Sequence, residues 1–377
     1  MVVLIIVAAL YLITYAVYIL QLTRALGATG PFVLADETPH RTTFSVVVVF
    51  RNEADNLGTL LRSFQFLEYP RDSFELIFIN DDSTDNSERI VNQWRLENGA
   101  FATTLLDNLR LSSSPKKDGI TRAISIAKGD FIVSTDADCK VGVSWLSTLD
   151  AHIRQTGAKM VAAPVLIAPE KKPLTRFQQF DFLSLQATTL GSFSMGKPFM
   201  CNAANFAYKK DFFKQLDGFR GNEDFAGGDD VFLLQKAVDQ HPECVSYLFH
   251  PGATVYTKAV GSVSALIGQR VRWASKARAY RAGLGEQLSV IVLTANLVLV
   301  CSVIGWAMGF FAAWVVVGMV LLKFLPDIVF LTTASRKFGQ KSRGIVPSLL
   351  LYPLLTSAVV FLALPGKFSW KGRRFTR

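Results

Sequence analysis

The chain has 377 residues and a net charge of +10, and 50% of its residues are hydrophobic. That hydrophobic fraction is high for a purely soluble protein, so part of the chain is expected to lie in a lipid bilayer. The basic residues gather beside the apolar segments, as anionic lipid headgroups favour, which argues against a nucleic-acid binder. The four cysteines show neither metal-ligand pairing nor the density of a disulfide framework.

The first apolar segment predicts a transmembrane anchor at residues 1–23. No charge precedes Arg24, and the length of the segment suits a hydrocarbon core of ~30 Å. A cleaved signal peptide would carry basic residues before its apolar core, so we expect this anchor to be retained. The positive-inside rule predicts that Arg24 lies on the cytoplasmic side.

Two later apolar blocks predict further membrane segments. Residues 288–335 are too long for one span and suit two transmembrane helices, with a turn near residues 305–309. Residues 346–365 contain Pro353 and have basic residues on both flanks, which the positive-inside rule would keep in the cytoplasm. This third segment is either re-entrant or in-plane and broken at Pro353, or a span that violates the charge rule.

Residues 42–265 have a different sequence pattern from the apolar segments, because short β-rich runs alternate with stretches of helical periodicity. The pattern predicts an α/β domain with a largely parallel sheet, whose ligands bind beyond the carboxyl ends of the strands. Strands are predicted at residues 45–50, 76–79 and 131–134, and the polar segments that follow them directly are 51–53, 81–85 and 136–138.

The triplet Asp136-Ala137-Asp138 places two carboxylates on the same side of the chain after a strand. Two such carboxylates could hold Mg²⁺ or Mn²⁺ against substrate phosphates. By itself an Asp-x-Asp triplet is more often a capping turn than a metal site.

Two other short motifs lie beside predicted strand ends or helix starts. Asp81 and Asp82 end a strand, and their carboxylates could accept hydrogen bonds from a nucleoside. Lys116 and Lys117 precede a predicted helix and could meet a diphosphate. Turn and cap residues, or a solvated basic turn, are the alternative interpretations.

Asp229-Asp230 follows two glycines and opens a helical pattern. A carboxylate there could deprotonate an acceptor hydroxyl, and a like-charged neighbour together with a cation would tune its pKa. An acidic helix N-cap is the alternative.

The motif Gln269-Arg270-Val271-Arg272-Trp273 lies in a basic segment, residues 266–287, which is expected at the membrane interface. The guanidinium of Arg272 could bind a diphosphate, and the indole of Trp273 could stack on a sugar or guard the acceptor entrance.

Together these motifs resemble the membrane-bound branch of the inverting family 2 glycosyltransferases, which includes ceramide glucosyltransferase and the cellulose, chitin and hyaluronan synthases. The resemblance spans roughly residues 45–273 and the flanking membrane segments, and it rests on the order and spacing of the motifs. It implies an α/β domain of the GT-A, Rossmann-like nucleotide-diphospho-sugar transferase fold, with N- and C-terminal transmembrane helices.

The resemblance also implies roles for single residues. Asp230 is implied as the catalytic base with Asp229 beside it, and Asp138 as the principal metal ligand with Asp136 as its companion. The other implied donor-binding residues are Asn52, Glu53, Asp81, Asp82, Lys117, Gln269, Arg272 and Trp273. The implied acceptor-side residues are Cys201, Asn202 and Trp273, and the basic tail at 366–377 contains Trp370-Lys371-Gly372-Arg373, similar to a common family ending.

The implied activity is inverting transfer of a sugar from a nucleotide sugar, with a uridine nucleotide and Mg²⁺ or Mn²⁺, at the cell inner membrane. The catalytic domain would be cytoplasmic and in contact with membrane lipids. Few membrane segments favour a lipid or lipid-linked acceptor. A processive polysaccharide synthase extending a glycan, and a non-catalytic membrane scaffold or export partner, remain the alternatives, and the sequence leaves the oligomeric state open.

Overall fold

The structure is a computed structural model that describes residues 2–34, 42–223, 225, 227–275 and 283–376. The predicted basic segment at 266–287 is therefore described only in part. Its cations Lys276, Arg278 and Arg281 lie outside the described residues.

The described helices and strands alternate through the central part of the chain. The helices are α1 Val2–Ala28, α2 Ala54–Gln65, α3 Ser87–Glu97, α4 Pro115–Ile126, α5 Trp145–Thr156, α6 Pro173–Ser194, α7 Lys210–Gln215, α8 Val231–Gln240, α9 Val263–Ala274, α10 Leu284–Ala307, α11 Ala313–Lys337 and α12 Ile345–Ala363. The strands are β1 Phe44–Phe50, β2 Phe74–Asn80, β3 Thr103–Asp107, β4 Phe131–Ser134, β5 Cys139–Lys140, β6 Met160–Ala162, β7 Val165–Ile167, β8 Phe206–Lys209, β9 Val245–Tyr247, β10 Val255–Thr257, β11 Lys367–Trp370 and β12 Arg373–Thr376.

The main sheet has seven strands in the order β3-β2-β1-β4-β8-β6-β9. The first four run parallel, whereas β8 is antiparallel to both of its neighbours. The prediction of an α/β domain with a largely parallel sheet is therefore confirmed. The parallel half brings the ends of β1, β2 and β4 to one edge, as the connections through α2, α3 and α4 require.

Alternate side chains of β1 enter two different apolar layers. Val46 and Val48 pack in the cluster that contains Leu57 and Leu60 of α2, whereas Val47 packs in the cluster that contains Ile120 of α4. A strand with helices on both faces has both sets of alternate side chains buried, which explains the near-continuous apolar sequence of β1. The core thereby fixes where the loop after β1 begins.

Strand β3 is not among the predicted strands. Four of its five residues are only half-buried and the last is exposed, because β3 lies at the edge of the sheet. An edge strand of this kind lacks the buried apolar run that identifies β1 and β2. The sequence therefore predicts no site residues in the loop that follows β3.

Four described helices, α1, α10, α11 and α12, are long and apolar enough to cross a membrane. Helices α10 and α11 correspond to the predicted pair, and the turn between them lies at residues 308–312, slightly later than predicted. Helix α12 runs without interruption through Pro353, so of the two alternatives for this segment the one that requires a break at that proline has no such break in the structure.

Both ends of α12 lead back to the α/β domain. At its start, Gly344 lies beside the ring of Phe180 on α6. Along its length α12 packs against α9, and the hairpin of β11 and β12 that follows also packs against α9.

Candidate active site

The loops after β1, β2 and β4 meet at one edge of the main sheet, because these strands are parallel neighbours. Asn52 follows β1 with a φ of +50°, and Asp82 follows β2 with a φ of +60°. The Asn52 side chain accepts a hydrogen bond from the backbone N–H of Thr84, at 2.8 Å, and its own N–H donates to the Ser83 hydroxyl. Asn52 thus connects the loop after β1 to the loop after β2 and stabilises both.

Lys116, on the first turn of α4, joins two of the predicted acidic segments. Its Nζ lies 2.7 Å from Oδ1 of Asp136 and 3.3 Å from Oδ2 of Asp229. Burial by itself lowers the pKa of Lys116, but Asp136 and Asp229 outweigh it and hold the pKa above the ordinary lysine value. Residues that lie far apart in the sequence therefore share one ammonium group.

Asp138 lies beside this ion pair in a pocket of like charge. Burial, together with the nearby carboxylates of Asp136 and Glu53, raises the pKa of Asp138 to about 6. Hydrogen bonds from Cys139 and from Thr257 of β10 partly oppose these effects. Binding of a divalent cation or of a proton would reduce the repulsion among these carboxylates.

The donor set at Asp138 fits a cation that is bound mainly by its substrate. Among the residues that the structure describes, no group of three His, Cys, Asp or Glu side chains could hold a metal ion. Asp138 and Asp136 offer carboxylate oxygens at the edge of the site. Mg²⁺ is commonly held by one or two carboxylates together with substrate phosphates and water, so two ligands suffice for that kind of binding.

Asp81 and Asp82 lie at the other end of the same edge and contact arginines. Nε of Arg110 lies 3.1 Å from Oδ1 of the buried Asp81, and NH2 of Arg110 lies 2.7 Å from Oδ2 of Asp82. Arg110 and then Arg51 lower the pKa of the exposed Asp82. Arg373 also contacts both carboxylates, through NH1 to Asp81 at 2.5 Å and NH2 to Asp82 at 3.2 Å.

Glu53 connects the two ends of this acidic edge. Its charge acts on Asp138, and its Oε1 lies 2.8 Å from Nζ of Lys371. Its Oε2 accepts from the side-chain amide of Asn56 at 2.6 Å.

Asp230 is the N-cap of α8 and lies next to the acceptor-side segment. One carboxylate oxygen accepts from the N–H of Val231, at 2.8 Å, and the other accepts from the N–H of Ala203, at 3.0 Å. Asn202 caps the short 3₁₀ turn at Ala203–Asn205, and Cys201 is buried, which raises the pKa of its thiol. The two N–H donors fix the orientation of the Asp230 carboxylate.

The Gln269 to Trp273 motif lies on α9. The charge of the half-buried Arg272 is opposed by burial, which lowers its pKa, and is supported by Asp136, Asp229 and Asp230. Trp273 is partly buried, and the guanidinium of Arg270 lies 4.1 Å from its ring centre. The side-chain oxygen of Gln269 accepts a hydrogen bond from Arg270 at 2.6 Å. Within this motif, Arg272 is the residue whose charge interacts with Asp136, Asp229 and Asp230.

The structure gives Lys117 a different place from the predicted one. Its Nζ donates to the backbone oxygens of Asn222, at 2.5 Å, and Phe225, at 3.0 Å. The side chain is only 2% exposed. Lys116, its neighbour, is the lysine that lies among the acids, and Lys117 instead supports the loop before Asp229.

The sequence does not single out four cations at this edge: Arg51, Arg110, Lys371 and Arg373. Arg51 directly follows the predicted strand β1, so its position is a usable signal, whereas Arg110 follows β3, which the sequence does not predict. Lys371 and Arg373 reach the edge only through the course of the chain after α12.

Comparison with known proteins agrees with this geometry. Residues 45–217 match the family model described as glycosyl transferase family 2. The chain is 22% identical over 199 residues to glycosyltransferase AglE of Haloferax volcanii, which covers 52% of this chain and 61% of AglE. It is 25% identical over 283 residues to a β-monoglucosyldiacylglycerol synthase of Nostoc sp., which covers 71% of this chain and 57% of that enzyme. The matches thus span less than two thirds of each relative.

A solved structure has the same fold. The mannosyltransferase PcManGT of Pyrobaculum calidifontis, in complex with GDP-Man and Mn²⁺, superposes with a TM-score of 0.59 at 19% identity, over 89% of this chain and 98% of that one. The prediction of a GT-A domain with N- and C-terminal membrane helices is therefore confirmed. Residues 45–217 of the chain therefore match glycosyl transferase family 2, and the fold is of the GT-A type.

Proposed function

We propose that this enzyme is an inverting transferase, which moves a sugar from a uridine nucleotide-diphosphate sugar to a lipid or lipid-linked acceptor at the membrane. The observation that carries the proposal is the bridge from Asp136 through Lys116 to Asp229, with Asp138 beside it. It gives one cleft both a place for a charged diphosphate and an aspartate pair for proton transfer.

In this proposal Asp230 accepts the proton of the acceptor hydroxyl, whose oxygen attacks the anomeric carbon while the nucleoside diphosphate leaves. The two backbone N–H groups that hold the Asp230 carboxylate fix the orientation of its oxygens. Arg272 faces the departing diphosphate. Mg²⁺ or Mn²⁺ held by Asp138 and Asp136 would neutralise charge on that leaving group.

The membrane part supports a small acceptor rather than a growing polymer. Four described helices, α1, α10, α11 and α12, are long and apolar enough to span a membrane. Synthases that thread a polymer need more spans than this. The lipid product named for the Nostoc relative points to the same acceptor class. With Arg24 inside, the catalytic domain is cytoplasmic, at the inner membrane.

Labelled nucleotide sugars, incubated with the full-length enzyme, Mn²⁺ and membrane lipids, test the proposal. We expect a single lipid-soluble product, and a ladder or high polymer would favour a processive synthase instead. Asp138→Asn and Asp230→Asn should each lower the transfer rate by roughly a hundredfold or more. The exposed Asp211→Asn is the matched control and should leave the rate unchanged. If no sugar is transferred and Asp138→Asn keeps its biological activity, the protein is a scaffold.

A further inference from the structure

Helix α6 holds the helix that carries the Gln269 to Trp273 motif. Just before α9, the side-chain amide of Gln178 donates to the backbone oxygen of Val260 at 2.9 Å and accepts from the N–H of Val260 at 2.9 Å. Gln178 is 1% exposed, so these two hydrogen bonds form away from water. The chain is therefore fixed two residues before Ser262, whose side chain caps α9.

About one turn further along α6, Asp181 contacts the motif itself. Its Oδ2 lies 2.7 Å from Nε and 2.5 Å from NH2 of Arg270. Each of the two residues is 8% exposed. A carboxylate and a guanidinium so close together and away from water hold each other in one geometry, because leaving either of them unpaired would be costly.

The guanidinium that Asp181 anchors contacts two further residues of the motif. NH1 of Arg270 donates to Oε1 of Gln269 at 2.6 Å, and the guanidinium carbon lies 4.1 Å from the ring centre of Trp273. Arg270 and Trp273 are three residues apart, which places them on one face of α9. Asp181 therefore fixes a guanidinium that orients both Gln269 and Trp273.

Phe182, which follows Asp181 on α6, supports the same indole. Its ring centre lies 6.0 Å from that of Trp273, and the ring planes make an angle of 46°. Phe182 is 5% exposed and belongs to the apolar cluster that contains Leu57 and Leu60, so the domain core sets its position. The indole is thus held by an arginine of its own helix and by a core phenylalanine of another helix.

The two arginines of the motif have different surroundings. Arg270 is paired with Asp181, whereas the charge of Arg272 interacts with the acidic residues of the candidate active site. Residues two apart on a helix do not face each other, so one arginine is directed to α6 and the other to the site. Arg270 therefore acts on the site through its neighbours Gln269 and Trp273.

We propose that Asp181 is a positioning residue of the acceptor site, which acts through Arg270 to set the orientation of Trp273. The inference rests on the proposed function and on the acceptor-side role of the indole. An indole held in one orientation offers a flat apolar surface for the acceptor to pack on and keeps bulk water from the anomeric carbon. It thereby holds the acceptor hydroxyl in place for attack.

Without the anchored guanidinium, water competes better with the acceptor. A water molecule then loses its proton to Asp230, and its oxygen attacks the anomeric carbon. The bond from that carbon to the diphosphate breaks, so the products are free sugar and nucleoside diphosphate. Loss of the Asp181 contact should therefore change the ratio of transfer to hydrolysis, which a purely structural ion pair would not do.

The ratio is measured with the full-length protein, Mn²⁺ and vesicles of a total lipid extract of bacterial membranes. UDP-glucose, UDP-N-acetylglucosamine and GDP-mannose, each labelled in the sugar, identify the donor that wild type uses. The test variant combines Asp181→Leu with Arg270→Leu, because an apolar pair can replace a buried ion pair without loss of stability. Transfer to lipid should fall by on the order of tenfold, while release of free sugar stays within about twofold of wild type.

Two further variants complete the comparison. Arg270→Lys keeps the charge but lacks the planar fork, so its ratio of transfer to hydrolysis should lie between those of wild type and the double leucine variant. Asp211→Leu with Lys214→Leu is the matched control, since it removes an exposed pair at 3.7 Å and should leave the ratio unchanged. Thermal unfolding checks that each variant is folded.

The fluorescence of Trp273 gives a second readout, as the difference between each protein and its Trp273→Phe counterpart. Acrylamide should quench this signal more strongly in Arg270→Lys and in the double leucine variant than in wild type. Unchanged quenching, or transfer and hydrolysis that stay at wild-type rates, would overturn the inference. Equal losses of transfer and hydrolysis would also overturn it, because the pair would then serve the whole domain. If wild type neither transfers nor hydrolyses any of the three donors, the proposed function itself fails.

Discussion

Nζ of Lys116 lies 2.7 Å from Oδ1 of Asp136, so a lysine on α4 neutralises a carboxylate two residues before Asp138. The same ammonium group lies 3.3 Å from Asp229. The lysine therefore places a positive charge between two carboxylates of one cleft, which reduces their mutual repulsion.

Lys116→Met should lower the rate of sugar transfer by on the order of tenfold to a hundredfold, because Asp136 and Asp229 would lose a charge-assisted partner and repel each other. Transfer rates at saturating Mn²⁺ measure the effect. Lys172→Met, which removes a lysine whose side chain is 80% exposed, should change nothing. An unchanged rate for Lys116→Met would mean that the bridge has no part in the reaction.

The contrast between Lys116 and Lys117 illustrates what a sequence can predict. The motif predicts a lysine near the acids, but two adjacent residues of a helix point about 100° apart. The choice between them depends on where the helix begins and how it packs. Helix α4 begins at Pro115, and its packing turns Lys117 to the carbonyls of Asn222 and Phe225. Neither fact is visible in the local pattern.

The predicted strands follow a similar division. Strands β1, β2 and β4 are short, apolar and buried, so their sequences identify them and the acidic segments behind them. The half-buried β3 has no such pattern, so the sequence predicts neither this strand nor the role of Arg110, which follows it. The contact of Arg373 with Asp81 joins residues 292 positions apart. Contacts of that separation depend on the path of the whole chain and leave no periodic signal.

The pair of Asp181 on α6 and Arg270 on α9 is buried, with 2.5 Å between Oδ2 and NH2. Asp181→Asn should lower the free energy of unfolding by ~3–5 kcal/mol, because it leaves a buried guanidinium without its counter-ion. Trp273, whose ring packs on Arg270, should report the change through its fluorescence. Thermal unfolding in detergent measures the loss of stability.

Asp211→Asn is the control for that experiment, since it breaks an exposed pair with Lys214 at 3.7 Å, which should contribute little. Replacing both Asp181 and Arg270 with leucine should recover most of the stability that the single variant loses. Equal unfolding temperatures for Asp181→Asn and Asp211→Asn would contradict a structural role for the buried pair.

His152 makes the stability depend on pH. Burial lowers its pKa from 6.5 to about 4, and the edge of its ring meets Phe32 at 4.6 Å. The unfolded chain therefore takes up a proton at higher pH than the folded protein does. Stability should be full above pH 6.5 and should fall by up to ~3 kcal/mol as the pH drops to about 4.

Unfolding temperatures of wild type and His152→Gln at pH 7.5 and pH 5 measure this contribution. The variant has no imidazole to protonate, so it should lose less stability than wild type over that interval. Other groups titrate in both proteins and cancel in the comparison. Parallel losses in the two proteins would show that His152 is not responsible.

Lys323 and Asp327 form a buried ion pair within α11, with 2.5 Å between Nζ and Oδ2. The hydroxyl of Tyr15 on α1 donates to the other oxygen of Asp327, and Nζ of Lys323 lies 3.3 Å from the same hydroxyl. Three polar groups thus satisfy one another inside an apolar bundle and join the first membrane helix to α11. Ionisable groups at such positions are costly unless they are paired.

Asp327→Leu should therefore destabilise the membrane part, since it leaves Lys323 buried without its partner, and unfolding in detergent should begin at a lower temperature. The double variant Lys323→Met with Asp327→Leu removes both charges and should recover most of that loss, because an apolar pair suits the surroundings. Tyr15→Phe, which removes only the hydroxyl, should cost about 1 kcal/mol. If the double variant is as unstable as the single one, the cost arises from packing and not from an unpaired charge.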